Sequence, residues 1–205
     1  MIDRIVIRFG GAVAPELCRY VEKIRADYIS NRPESAPGFS AACDQLKLGE
    51  MSMDRFAGEL AGVFSHLGSG RSISGLWEDR ARCHAGAAEF LAKLNGRRPL
   101  SLVVDYPESW FWAAAARNNI FEGAPAGEPV FLSHAAGSPR GEEQLDSIYK
   151  QPGCLIIEPD FNRAMRCINQ GVQTIHYVGI SRTMRELDLR KLTPAGYVNS
   201  TKEEI

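Results

Sequence analysis

The chain has 205 residues, 44% of them hydrophobic and 24% charged, with a formal net charge of −1. This composition fits one globular domain, or one domain with a large insertion, and excludes wholesale disorder. The near-zero charge argues against a nucleic-acid partner, and no run approaches the roughly 20 apolar residues of a membrane span.

The first β-type run is Arg4–Phe9, within "RIVIRF", and Gly10-Gly11 follow it. The opening "MIDRIVIRFGG" does not read as a signal peptide. Pro15–Ile29 reads as a helix, "NRPESAPG" as a loop, and "MSMDRFAGELAGVFSHLG" as a second, amphipathic helix with Ser52 as its N-cap. Trp77–Leu94 spaces Ala81, His84, Ala88, Leu91 and Leu94 at three and four, and Asn95-Gly96 supply a stop signal. Four more strands are expected at Leu100–Val104, Pro129–Ser133, Cys154–Glu158 and Thr174–Val178. Helices are expected at Ser109–Asn118, Glu142–Tyr149 and Phe161–Asn169. The runs "LSLVV" and "CLIIE" are nearly all apolar, as in strands covered on both faces. The closing "NSTKEEI" reads as a frayed tail.

Strands alternating with helices predict a parallel sheet with right-handed crossovers. The fold class is α/β, a Rossmann-like three-layer core with a helical cap inserted after strand one. The expected division gives residues 1–13 and 82–205 to the core and residues 14–81 to the cap.

Open α/β sheets gather their sites at the C-terminal strand ends. Those ends carry Arg8 with Gly10 and Gly11, then Asp105 in "VDYP", then His134 and Arg140, then Glu158 with Asp160. Asp105 and Glu158 are the candidates for acid–base catalysis. Arg8, Gly10, Gly11, Arg140 and His134 are the candidates for ligand binding, and His134 is also a candidate proton shuttle. Ser133 stands in no nucleophile elbow. The five cysteines, Cys18, Cys43, Cys83, Cys154 and Cys167, form no CxxC pair. Reduced thiols in a cytoplasm are the expectation, with no metal site and no cofactor. Trp110, Phe111 and Trp112 are read as a helix packed between sheet and cap, or as an apolar wall or oligomer contact.

The order of these phrases resembles the haloacid-dehalogenase-like (HAD) superfamily of phosphatases and dehalogenases over nearly the whole chain. The family places an aspartate nucleophile in a phrase like "FDLGGV", and this chain has "IRFGGAV". A cap helix opening like "GEIS" is matched by "LGEMSMDRF". "SDYP" is matched by "VDYP", a "GxxKP" phrase by "GSPRG", and "IDDxxxNxxAA" by "IEPDFNRAMRC". The resemblance implies that Arg8 stands at the nucleophile's position, Val104 at the hydroxyl's and Arg140 at the lysine's, with Glu158 and Pro159 at the acidic pair. A guanidinium has no lone pair for attack and forms no acyl-phosphate. The family's phosphatases hold Mg²⁺ between the nucleophile and the fourth-motif acid, and a cation at Arg8 is no ligand for it.

Arg8 is therefore expected to pair with Glu158 or Asp105, or to clamp an anion. Three functional readings stand. One is a non-hydrolytic protein that binds an anionic small molecule in the cap–core crevice, or acts as a scaffold. Another is a repurposed enzyme using Asp105 or Glu158. The third is a hydrolase with a relocated nucleophile, Asp105 or Asp160. A homodimer through the cap or the aromatic helix also fits.

Overall fold

The computed structural model describes residues 2–17, 36–64, 82–121, 129–190 and 192, with the single positions 19, 21 and 26. Five strands form one sheet: β1 (Arg4–Arg8), β2 (Leu100–Val104), β3 (Val130–Phe131), β4 (Cys154–Glu158) and β5 (Thr174–His176), in the order β3-β2-β1-β4-β5. Every pairing is parallel. β1 lies in the middle, with Ile5 level with Leu100 on one side and Leu155 on the other.

Alternation along each strand divides its apolar side chains between the two faces. Ile5, Ile7, Leu102, Val104, Leu155 and Ile157 join one core cluster. There they meet helix α3 (Ala87–Asn95) through Phe90, Leu91 and Leu94, and helix α4 (Glu108–Arg117) through Phe111. Val6, Val103 and Ile156 face the other way. They meet Leu145 and Tyr149 of α5 (Pro139–Tyr149) and Cys167 of α6 (Phe161–Asn169). The last helix, α7 (Ile180–Leu189), returns Leu187 to the first cluster. This is the expected three-layer α/β core.

Between β1 and β2 come α1 (Ala36–Leu48) and α2 (Met53–Phe64). Ser52 caps α2, its hydroxyl accepting from the Arg55 amide at 3.3 Å. The pair rests on the C-terminal ends of β2 and β3. The Met53 amide donates to the Ser133 carbonyl at 3.0 Å, and Phe56 meets Trp110 edge-on at 6.2 Å. The chain re-enters the core beside its exit, where the His84 amide donates to the Val13 carbonyl at 2.7 Å. Of Pro15–Ile29, Leu17, Arg19, Val21 and Ala26 are described as helical, and the remainder lies largely outside the described residues.

Several expectations need correction. The pattern over Trp77–Leu94 is not one helix. Residues 77–81 lie outside the described residues, 82–84 are not helical, and α3 begins only at Ala87. The His84 amide is spent on Val13, and Gly86 turns the chain with a φ of 77°. The third strand shrinks from Pro129–Ser133 to Val130–Phe131, because Ser133 is drawn off by the Gln144 side chain and the Met53 amide. The first and fifth strands stop at Arg8 and His176, one and two residues early. Trp110 and Phe111 are buried in the core as expected, whereas Trp112 is 44% exposed. Among the described residues no helix is long and apolar enough to cross a membrane. The "NSTKEEI" tail and Cys18 lie outside the described residues.

The first turn of α5 packs directly on the loop after β3. A methyl group at Gly141 would lie 2.0 Å from the Ala135 carbonyl oxygen, which is main chain and cannot rotate away. Gly141→Ala should therefore cost about 3 kcal/mol or more. Urea denaturation of the variant checks this; an unchanged midpoint would mean that the helix is not seated on this loop.

Candidate functional site

β1 carries Arg8 to the centre of the sheet's C-terminal edge, and the chain must then turn away at once. Gly10 and Gly11 have φ, ψ of −68°, 128° and 90°, −34°, close to a type II turn, whose third residue needs a positive φ. Both glycines are also crowded. A Cβ on Gly10 would stand 2.6 Å from both Asp105 carboxylate oxygens, and one on Gly11 would stand 2.8 Å from the Pro159 ring. The loops after β1, β2 and β4 thus close on one another.

The Arg8 guanidinium lies inside this closure and is only 4% exposed. Its Nη2 is 3.3 Å from Glu158 Oε1 and 3.7 Å from Glu16 Oε1, and its Nη1 is 3.6 Å from Asp105 Oδ2. Burial alone would lower the Arg8 pKa, but Glu158 and Asp105 outweigh it and hold the pKa above its ordinary value. Asp105 also accepts from the Gly10 amide at 2.9 Å.

Glu158 is fully buried and both its oxygens are engaged. Oε2 accepts from the Tyr149 hydroxyl at 2.6 Å. Oε1 accepts from the Asp160 amide at 2.8 Å and from Arg163 Nη1 at 3.3 Å. Burial, and then the Glu158 charge, push the Tyr149 pKa well up, so the phenol stays a donor. Asp160 caps α6 by accepting from the Arg163 amide at 2.7 Å, which aims the Arg163 side chain back at the sheet. Arg163 also donates to the Ala136 carbonyl at 3.0 Å and pairs with Glu142, which in turn pairs with Arg166. Burial lowers the Arg163 pKa, but its hydrogen bond to Glu142 and the Glu158 charge outweigh this and raise it, so it stays charged.

The structure therefore brings together Arg8, Gly10, Gly11, Asp105 and Glu158. It does not bring Arg140 or His134 to them. Arg140 is exposed on α5 and, with His134 and Gln144, lines a separate open groove of about 400 Å³. Sequence reasoning missed Glu16, Tyr149 and Arg163. Arg163 alone had a signal, because it stands three residues after a capping aspartate on a helix already expected.

Beside the closed centre lies a cleft of about 440 Å³ over the ends of β1, β4 and β5. Gly11 and Pro159 line its inner side, and Glu16, Arg19, His84 and Tyr177 supply its polar groups. The Glu16–Arg19 pair, at 3.4 Å, stands between this cleft and Arg8.

Solved structures share this chain's overall architecture. A HAD-family enzyme of Bacteroides thetaiotaomicron, BT-2542, superposes with a TM-score of 0.56 at 15% identity, over 85% of this chain and 93% of that one. This chain has the haloacid-dehalogenase-like fold. The magnesium complex of BT-2542 gives 0.55 at 16% identity, over 86% of this chain and 93% of that one. The magnesium-bound YfnB protein of Bacillus subtilis gives 0.56 at 11% identity, over 91% of this chain and 99% of that one. At the level of sequence, no family model and no curated protein matches the chain. Identities this low show the HAD-like fold alone and leave the chemistry to the residues present.

Those residues make two predictions. Arg8→Met leaves Asp105 and Glu158 buried without their shared cation and should cost about 3–5 kcal/mol. Adding Asp105→Asn and Glu158→Gln to it should recover much of that loss in chemical denaturation, whereas a merely steric role for Arg8 would leave the triple variant as unstable as the single one. Glu142 is held below its ordinary pKa of 4.5: burial opposes this, but the hydrogen bonds from Arg163 and Arg166 prevail. A lowered carboxylate pKa contributes stability above the unfolded value and loses it as pH falls toward the folded value. Unfolding free energy followed downward from pH 6 should thus decline below about pH 4.5, and less steeply in Glu142→Gln. Equal slopes in the two proteins would refute the assignment.

Proposed function

We propose that this HAD-fold chain is not an aspartyl hydrolase, and that it binds a small molecule in the cleft beside a sealed former reaction centre. The observation that carries this reading is the Arg8 guanidinium, shut between Asp105 and Glu158 at 3.6 and 3.3 Å. Its position at the end of the central strand is where the resemblance calls for an aspartate. A guanidinium neither attacks phosphorus or carbon nor bears a transferred group.

The residues present do not fit a magnesium ion at this point. A permanent cation stands among the carboxylates that would otherwise serve as ligands, and Mg²⁺ demands near-octahedral anionic or neutral oxygens. Arg8, Asp105 and Glu158 form a charge cluster that substitutes for a carboxylate–metal assembly and holds three strand ends together.

General acid–base work by Glu158 is disfavoured by its complete burial and by the donors on both oxygens. The open cleft favours binding. Its volume suits a small ligand, and Arg19 and His84 supply the groups for an anion. The helical segment α1–α2, resting on the C-terminal ends of β2 and β3, takes the part of a cap. Cys83, Cys154 and Cys167 are free thiols, in keeping with a reducing cytoplasm.

Turnover of an aryl phosphate with Mg²⁺ tests the reading, with wild type compared with Arg8→Asp. Wild type should be inert, and Mg²⁺ should leave its melting temperature unchanged. Arg8→Asp places a third acid among Asp105 and Glu158, so Mg²⁺ at about 100 times its Kd should stabilise that variant by about 2.7 kcal/mol. Wild-type turnover abolished by Asp105→Asn or Asp160→Asn but kept in Arg8→Ala would instead mark a working hydrolase with a relocated nucleophile.

A further inference from the structure

We propose that Glu16 is a built-in plug in an oxyanion site formed by Arg8 and Arg19, and that the cleft takes a small carboxylic acid whose carboxylate displaces it. This deepens the binding role proposed for the cleft and rests on it. The Glu16 carboxylate bridges the two arginines with one oxygen each. Oε1 is 3.7 Å from Arg8 Nη2, and Oε2 is 3.4 Å from Arg19 Nε. Charge-assisted hydrogen bonds between guanidinium and carboxylate run at about 2.7–2.9 Å. Glu16 is thus held by charge at a distance rather than by short hydrogen bonds. Of the three acids around Arg8 it makes the longest ion pair. It is also the one open to solvent, its side chain 33% exposed against 4% for Asp105 and 0% for Glu158.

Arg8 itself is left short. A guanidinium carries five N–H donors in a fixed fork. This one is buried, and its Nε has no hydrogen-bond partner among the described residues. All three of its carboxylate partners stand at 3.3 Å or more. A buried cation with an unfilled donor costs free energy, which a better-placed oxyanion recovers. Asp105 and Glu158 are not at liberty to move in. Asp105 is tied to the Gly10 amide, and Glu158 to Tyr149, the Asp160 amide and Arg163. The place held by Glu16 is the exchangeable one, and Glu16 lines the cleft.

Charge balance and the cleft walls say what replaces it. Arg8, Arg19 and Arg163 balance Glu16, Asp105 and Glu158, while Arg166 balances Glu142. Once Glu16 swings out to solvent, an incoming carboxylate restores that balance, whereas a neutral ligand leaves Arg8 and Arg19 short of an acid. α7 adds to this preference, because it starts at Gly179 on the cleft wall with no side chain capping its first amides. The rest of the lining suits an apolar body. Pro15, Pro159 and Val178 are apolar, and the Tyr177 ring is braced by Phe90 at 5.8 Å between centroids. One carboxylate on a compact apolar frame fits a cleft of about 440 Å³.

Benzoate, phenyl phosphate and benzamide carry one ring and three different heads. Titration of each into the full chain, followed by NMR at the Gly11 and Gly179 amides, gives their dissociation constants. Glu16→Gln and Glu16→Ala should each tighten benzoate by about fivefold or more, the scale of one partly exposed ion pair removed from competition. Both should leave benzamide unchanged, and Arg19→Gln should weaken benzoate. In wild type, saturating benzoate should move the Glu16 side-chain carboxyl resonance toward that of a free glutamate, a readout that needs no substitution. Equal benzoate affinity in wild type and both Glu16 variants overturns the plug and leaves a binding cleft standing. Benzamide tightened as much as benzoate overturns it too, since Glu16 would then merely fill space. Tightening of phenyl phosphate alone gives the site to phosphate and overturns the carboxylate class. Silence with benzoate in every variant overturns the carboxylate site, and the cleft's binding role fails with it only if the other two probes are also silent.

Discussion

The Arg8 guanidinium holds the C-terminal side of this molecule together. It sits on the central strand, between acids supplied by the ends of the two neighbouring strands. A buried ion cluster is tolerable only when the charges are paired and their remaining hydrogen-bonding positions are filled. Glu158 meets that demand by taking a phenol, an amide and a second arginine, whereas the Arg8 Nε has no hydrogen-bond partner among the described residues. Asp105 takes the Gly10 amide. The glycine turn is required by the same arrangement, since any side chain at Gly10 would collide with the Asp105 carboxylate.

The sheet order, the helices on both faces and the segment between β1 and β2 do not depend on which charge ends β1. They depend on alternating apolar residues such as Ile5, Ile7, Leu102 and Ile157. The charge at position 8 decides only what occupies the strand ends. Here it draws the acids inward and leaves an open cleft to one side, separated by the Glu16–Arg19 pair.

α6 serves both the buried charge cluster and the protein surface. Its cap, Asp160, follows Glu158 by two residues, so the helix begins immediately at the charge cluster. Arg163 points inward to complete that cluster, while Phe161, Met165 and Ile168 point outward. One nine-residue helix thus supplies a counter-ion to the buried site and an apolar stripe to the surface.

Much of this was legible in the sequence. Strands β2 and β4 and helix α6 could be read to the residue, because a five-residue apolar run or a capped, Gly-terminated helix carries its own boundaries. The family phrases located Arg8, Asp105 and Glu158 at converging strand ends, since strand-end position is a local property. The helix expected over Trp77–Leu94 failed because Gly86 and the His84–Val13 hydrogen bond override a correct three-and-four spacing. Arg140 kept its place in the chain order of the motifs but not in space, because the first turn of α5 turns it to the surface. Tyr149 and Glu16 could not be ranked beforehand, and the capping signal at Arg163 did not show its reach to Glu158, for each comes from a different element and only packing brings those elements close. The sequence by itself determined the sheet and placed an arginine, Arg8, at the end of β1. The tertiary structure decided that Arg8 is spent on acids of its own chain, because the direction of a buried guanidinium follows from which carboxylates the fold brings within about 4 Å of it.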